Sequence, residues 1–148
     1  MKTVKTYLNP TLCSVCGGLC CQQAPGECIP RDFGNTSEEI RENLSRALKS
    51  GFYSVDWWEG KSKAWEGDKG FYVRPRVKGI NEVYDPSWGG ECIFHSEKGC
   101  VLNAEDRPYR CKSIEPAEPK CIGHFSKRQA VRAWGKYHEL IKELTGRE

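Results

Sequence analysis

Cys13-Ser14-Val15-Cys16-Gly17-Gly18-Leu19-Cys20-Cys21 packs four cysteines into nine residues. A C-x2-C pair lets two sulfurs turn onto one ion, the ligand unit of many tetrahedral zinc sites and iron–sulfur clusters. Gly17 and Gly18 follow the pair. Glycine permits the positive φ angles with which backbone N–H groups turn toward sulfur. Cys20 is then within reach of the same ion. Cys20 and Cys21 pose a different problem, because neighbours in an extended segment point to opposite sides. Either one is a ligand and the other packs, or the two serve different centres.

Further along the chain, Cys28 joins this first group, and Cys92, Cys100, Cys111 and Cys121 form a second; residues 29–91 contain no cysteine. A structural site usually takes four protein ligands. The first group supplies three, so the fourth is expected from Cys92, Cys100 or Cys111. Such a site would cross-link distant parts of the chain and turn binding energy into folding energy. Free cysteine is also among the most buried residue types, and that plainer reading suits Cys28 and Cys121 best. A redox disulfide at Cys13 and Cys16 would normally open a helix within a βαβ unit, a pattern not seen here.

The reading depends on compartment. Met1 to Leu12 is interrupted by Lys5, Asn9 and Pro10, with no apolar core of a secretory signal. No window approaches the roughly 18 apolar residues of a membrane span. The expectation is a cytoplasmic protein without membrane partners, where clustered thiols stay reduced and serve metals or catalysis. Nine cysteines is an odd number, so disulfides alone would leave one thiol over. The formal charge of +3 counts thiols as neutral, and four thiolates around one Zn²⁺ lower it by two. A nearly neutral chain is not expected to bind DNA tightly and specifically.

A chain of 148 residues, 38% hydrophobic, is read as a single domain over 1–148. The modest apolar content is supplemented by five Trp, six Tyr and five Phe, each burying a large area. Thr36 with Glu39 forms a capping-box spacing. Ile40, Leu44, Ala47 and Leu48 then recur at helical period, up to Ser50-Gly51. Phe52–Trp58 and Phe71–Val77 are predicted strands, with Pro75 demoting the second to an edge and a polar loop over Glu59–Gly70. Cys92–Pro119 is predicted as short turns. A last helix is predicted from a Ser126 cap to Gly146, with Ala130, Val131, Trp134, Tyr137, Leu140, Ile141 and Leu144 on one face. The fold class is therefore α+β: a small loop-rich domain around a cysteine metal site, with two clear helices and a few short strands.

Taken together, Cys13-x2-Cys16-x3-Cys20-Cys21, Cys92-Ile-Phe, Gly99-Cys100-Val-Leu and Arg107-Pro108-x2-Cys111 resemble the YkgJ-type cysteine-cluster family, described as zinc- or iron-chelating domains. The resemblance covers roughly 50 residues of motif near the two ends of the chain. It implies a metal set of Cys13, Cys16, Cys20, Cys21, Cys92, Cys100 and Cys111. A related cysteine cluster in flagellin lysine methylases adds an iron–sulfur option. The chain departs from the pattern at His95, where the family often has Leu, and in Cys28 and Cys121, which are extra to it. Seven thiols exceed the need of one tetrahedral ion. One centre is slightly preferred over two, because nearby buried anionic sites repel.

His95 and His124 are alternative ligands by position, although a solvent-exposed or hydrogen-bonded turn His is the simpler reading of His95. His138 is expected at the surface. Arg74, Arg76 and Lys78 alternate beside Phe71 and Tyr72, which suits a half-exposed strand with a charged edge or, less simply, a nucleic-acid track. Arg107 and Arg110 are expected to offset thiolate charge. Lys127, Arg128 and Arg132 stand where cations oppose the helix dipole, so an acidic protein or anionic ligand is the partner that would suit them. No Ser-His-Asp set, HExxH or phosphate loop is evident, and no reaction follows. Three readings stand: a metal-binding protein with Zn²⁺ first and iron or an iron–sulfur cluster second; an iron–sulfur oxidoreductase or methylase-associated module; and a zinc-ribbon-like adaptor for nucleic acid or protein.

Overall fold

A computed structural model describes residues 25–59, 69–85, 90–96, 99–112 and 127–146. A segment from Pro25 leads into a 3-10 turn at Pro30–Asp32 and then helix α1, Ser37–Ser50. The local code works as predicted. Thr36 is extended and its hydroxyl accepts the Glu39 N–H at 3.1 Å. Gly51 ends the helix at φ 89°, the left-handed region that only glycine adopts without cost. Ile40, Leu44 and Leu48 are buried along one face.

Strands β1 (Tyr53–Glu59) and β2 (Lys69–Pro75) pair antiparallel, with Val55 opposite Val73 and Asp56 opposite Tyr72. They extend into both ends of the predicted loop, residues 60–68 lying outside the described residues. Pro75 ends its strand opposite Tyr53. The outer side of β2 takes the Cys28 N–H on Val73 O, and segment 83–85 runs along the outer side of β1 through Val55 N→Val83 O and Asp85 N→Val55 O. Beyond β2 come β3 (His95–Ser96) and β4 (Gly99–Cys100), a short hairpin, then a 3-10 turn at Ala104–Asp106 and helix α2, Tyr109–Lys112. The predicted turn-rich character of this region holds for its described residues.

The C-terminal helix differs from its prediction. It is divided into α3 (Lys127–Ala133), a 3-10 turn (Gly135–Tyr137) and α4 (His138–Thr145), with Gly146 at φ 71° as its stop. Gly135 costs about 1 kcal/mol in a helix interior, and the break falls there. Trp134, fully buried, donates Nε1–H to Cys28 O at 2.8 Å. Trp134, Ala130, Val131 and Ile141 join Cys28, Phe33, Leu44, Val55 and Val73 in one core. His138 is also buried rather than at the surface. Its Nε2 accepts the Phe71 N–H at 3.3 Å and its ring lies on Phe71. No helix among the described residues is long and apolar enough to cross a membrane.

The largest correction concerns the alternating arginines. Arg74 and Arg76 are only 3% and 4% exposed, so neither charged edge protection nor a nucleic-acid track describes them. Arg74 Nε meets Asp56 at 3.1 Å, and its NH2 meets Asp85 Oδ2 at 3.1 Å and Asp85 O at 3.0 Å. Tyr72 OH donates to Asp56 at 2.7 Å. Burial works against the Arg74 charge, but Asp56, with Asp85, outweighs it and keeps the pKa above the ordinary value. Arg76 is held by carbonyls, Nε on Tyr53 O at 2.9 Å and NH2 on Leu48 O at 3.3 Å. Lys78 alone matches expectation, in an exposed pair with Glu91 at 3.0 Å.

Removing one partner of a buried charge pair strands the other. Asp56→Ala is expected to cost about 3–5 kcal/mol in urea unfolding, against about 1 kcal/mol for the exposed cap variant Thr36→Ala. Equal, small losses would show that the Arg74 guanidinium is not a desolvated charge.

Candidate metal centre

Of the seven cysteines in the expected metal set, Cys92, Cys100 and Cys111 belong to the described residues; Cys13, Cys16, Cys20 and Cys21 lie outside them, as do Cys121 and His124. Cys28 is described and is 1% exposed. It packs in the core with its N–H and C=O both used, as the packing reading expects. No disulfide joins any two described cysteines.

Cys92 is presented by the continuation of β2. Lys78 N→Glu91 O and Ile93 N→Arg76 O hold segment 91–93 beside 76–78, with Cys92 bridged to Val77. The chain turns there, His95 N–H returning to Cys92 O at 2.9 Å. The backbone of Phe94 in this turn favours the charged form of the Cys92 thiol. Hydrogen bonds to the charged form favour a thiolate. Burial acts the other way and dominates, pushing the Cys92 thiol up to about 11, with the nearby Cys100 adding to the rise. Cys100 arrives on β4, opposite His95. Tyr53 stands behind this group, its hydroxyl pKa raised by burial first and then by Cys28, Asp32, Cys92 and Asp106.

Cys111 sits on α2, whose start is anchored to the N-terminal segment. Asp32 accepts N–H bonds from both Ile29 and Tyr109 at 2.9 Å, and Arg110 N–H reaches Glu27 O at 3.1 Å. Arg110 also pairs with Glu27 at 3.0 Å, and Arg107 Nε donates to Leu102 O at 3.2 Å. Both guanidinium groups are thus engaged by protein oxygens. Gly26 passes so close to Cys111 that a Cβ there would lie 2.5 Å from Sγ. That cradle leaves the chain just before Gly26, which leads back to the first cysteine group, directly beside Cys111. Each of these thiols is a donor of the kind that soft, thiolate-binding metals take.

Among the described residues, no group of three or more His, Cys, Asp or Glu side chains converges to hold a metal ion. Cys92 and Cys100 come together; Cys111 comes against Gly26. A groove of about 440 Å³ beside α1, lined by Asp32, Asn43, Arg46, Tyr53, Asp106 and Arg107 among others, is a weaker site. The Asp32 carboxylate and Arg107 Nε are already committed to backbone groups. Sequence reasoning missed the Asp56–Arg74–Asp85 network. Its available signal was Asp56 set among the aromatics of β1.

Comparison of the chain with family models, with curated proteins and with solved structures returned no match. The family resemblance therefore rests on the order and spacing of its cysteines.

Two outcomes follow. Gly26→Ala forces the chain away from Cys111 or displaces its sulfur, and is expected to lower the melting temperature; an unchanged melt would remove the close approach. In metal-free, reduced protein the Cys92 pKa is raised on folding, so its contribution to stability is present below about 9 and is lost as pH climbs to about 11. Comparing urea unfolding at pH 8.5 and 10.5, wild type should lose roughly 2 kcal/mol more than Cys92→Ala.

Proposed function

We propose that this chain is a metal-binding protein that coordinates zinc, or alternatively iron or an iron–sulfur cluster, through Cys13, Cys16, Cys20, Cys21, Cys92, Cys100 and Cys111, in the manner of the YkgJ-type cysteine-cluster domains it resembles. The observation that carries the reading is the close pass of Gly26 by Cys111, where an added Cβ would lie 2.5 Å from Sγ, so that the chain leading from the first cysteine group meets a cysteine of the second. The buried Cys92 thiol, pushed toward 11, is a poor nucleophile as it stands. A bound cation reverses that preference by taking the thiolate.

The chain's own residues have definable tasks in this reading. Asp32 and Glu27 fix α2 and hence Cys111 against segment 26–29. Gly26 supplies the clearance. Arg110 adds an ion pair to Glu27 at 3.0 Å that fastens α2 to the same segment. The metal supplies a cross-link among these segments and, if it is a cluster, an electron-transfer centre. The burial of Arg74 and Arg76 removes the strand that would have tracked nucleic acid, so the adaptor reading loses its main sequence support. Arg128 and Arg132 remain exposed on α3, the place for an acidic protein or anionic ligand. The reading keeps the protein in a reducing, cytoplasmic setting.

Full-length protein purified anaerobically is expected to carry at least one zinc or iron per chain by elemental analysis. Cys13→Ser, Cys16→Ser and Cys111→Ser should each lose metal and melt lower, whereas Cys28→Ser and Cys121→Ser should keep it. Folded, reduced wild type with far less than one equivalent of either metal would end the proposal. Full metal in Cys111→Ser would break the link between the two cysteine groups.

A further inference from the structure

The metal set above contains only thiolates. We infer that His95 belongs to it as well, ligating the same metal through Nε2 beside Cys100, with Glu91 as the residue that positions the ring; this rests on the metal-binding reading and deepens it. His95 and Cys100 are opposite residues of β3 and β4. Opposite residues of an antiparallel pair carry their side chains on the same face, with Cβ atoms about 4.5–5.5 Å apart. Zinc binds sulfur at about 2.3 Å and imidazole nitrogen at about 2.0–2.1 Å, so donors on adjacent side chains of this kind can share one ion. The hairpin thus contributes a donor pair rather than a complete site, consistent with the lack of any preformed three-donor group among the described residues.

The second observation is the contact of His95 Nδ1 with the Glu91 carboxylate. In this contact the Glu91 carboxylate is the acceptor. Nδ1 must then carry the proton, which puts the ring's lone pair on Nε2. A carboxylate on the far nitrogen is the arrangement that orients metal-ligating histidines and raises their basicity. Lys78 Nζ, 3.0 Å from the same carboxylate oxygen, holds Glu91 in place. The imidazole is 8% exposed, whereas the Glu91 carboxylate that holds it lies at the surface. As a neutral donor the imidazole adds no negative charge for the site to compensate.

Reduced, metal-free full-length protein titrated with cobalt(II) tests the assignment by its visible ligand-field bands and affinity. The bands of wild type should be those of a mixed sulfur–nitrogen site. His95→Gln should shift them and weaken affinity by about 10–100-fold. Glu91→Ala should weaken affinity to a similar extent, about 10–100-fold, while leaving the band positions in place, as a positioning residue requires. His95→Cys should restore tight binding with bands moved to the all-thiolate pattern. His95→Gln with wild-type bands and affinity overturns the assignment of His95 while leaving the metal-binding reading intact. Should His95→Gln fail to fold, unchanged bands in His95→Cys overturn it equally. Wild type that takes up no cobalt(II) defeats the metal-binding reading itself, and this inference with it.

Discussion

The peptide of Cys28 is held from two sides: its N–H by Val73 O on β2 and its C=O by the Trp134 indole. Both partners are fully buried, so neither bond can be exchanged for water without opening the core. An unmade bond here would cost the desolvation of a buried polar group, about 1–3 kcal/mol. The consequences spread in three directions. The N-terminal segment is fixed along the sheet, the C-terminal helix is tied to that segment at the turn where it breaks, and the residues on either side of Cys28 are aimed. Glu27 and Gly26 meet α2 because Cys28 cannot move. Ile29 carries the chain into the turn whose Asp32 caps Tyr109. A cysteine with no part in the expected ligand set therefore locates one that has.

The sheet explains why so polar a chain has a core at all. A two-stranded ribbon exposes too much backbone to stand alone. Here its outer sides are occupied by Cys28 and by segment 83–85, and both faces are covered. One face is apolar, with Val55, Phe71 and Val73 against α1 and the C-terminal helices. The other carries Ser54, Asp56 and Arg74 into the interior. That second face could be buried only because each charge meets its opposite at about 3.1 Å, and Lys127 of α3 closes over it, 4.0 Å from Asp56 and above the Tyr72 ring. Such a network is weak evidence for net stability. It does make the pairing register exacting, since a slip of one residue would carry Asp56 and Arg74 to the apolar face.

Features written within a few residues were legible in the sequence. Thr36, Glu39 and Gly51 bound α1 as expected because caps are local chemistry, and β1 and β2 announced themselves by their aromatics. What stayed hidden depends on partners distant along the chain. Arg74 looks like an exposed strand charge until Asp56 and Asp85 are seen beside it. His138 looks like a surface residue until Phe71, 67 positions away, donates to it. The continuous apolar face from Ala130 to Leu144 was real, yet it did not reveal the break at Gly135, which a weak helix former permits and the Trp134 bond exploits. The candidate site divides in the same way. The clustering of Cys92, Cys100 and Cys111 in the sequence did not say what each thiol meets, whereas the hairpin register sets Cys100 opposite His95 and the backbone sets Gly26 against Cys111.

The same contacts change what a metal can contribute energetically. Sequence alone suggests a cross-link that closes a loop of about 100 residues between the first cysteine group and Cys111, with the entropy gain belonging to so long a loop. But segment 26–29 is already bonded to α2 through Glu27, Asp32 and Arg110 without any metal. Once those bonds form, a ligand from the first group needs to close only the short stretch leading to Gly26. Loop-closure entropy grows by about 0.6 kcal/mol per doubling, so shortening the loop roughly sevenfold removes about 1.5–2 kcal/mol of the long-loop benefit. The core around Cys28 and Trp134 accordingly bears its own stability, and under the metal-binding proposal a metal would add to that stability without the long-loop gain. On that proposal the described scaffold would hold together with or without a metal, because its own hydrogen bonds already join segment 26–29 to α2.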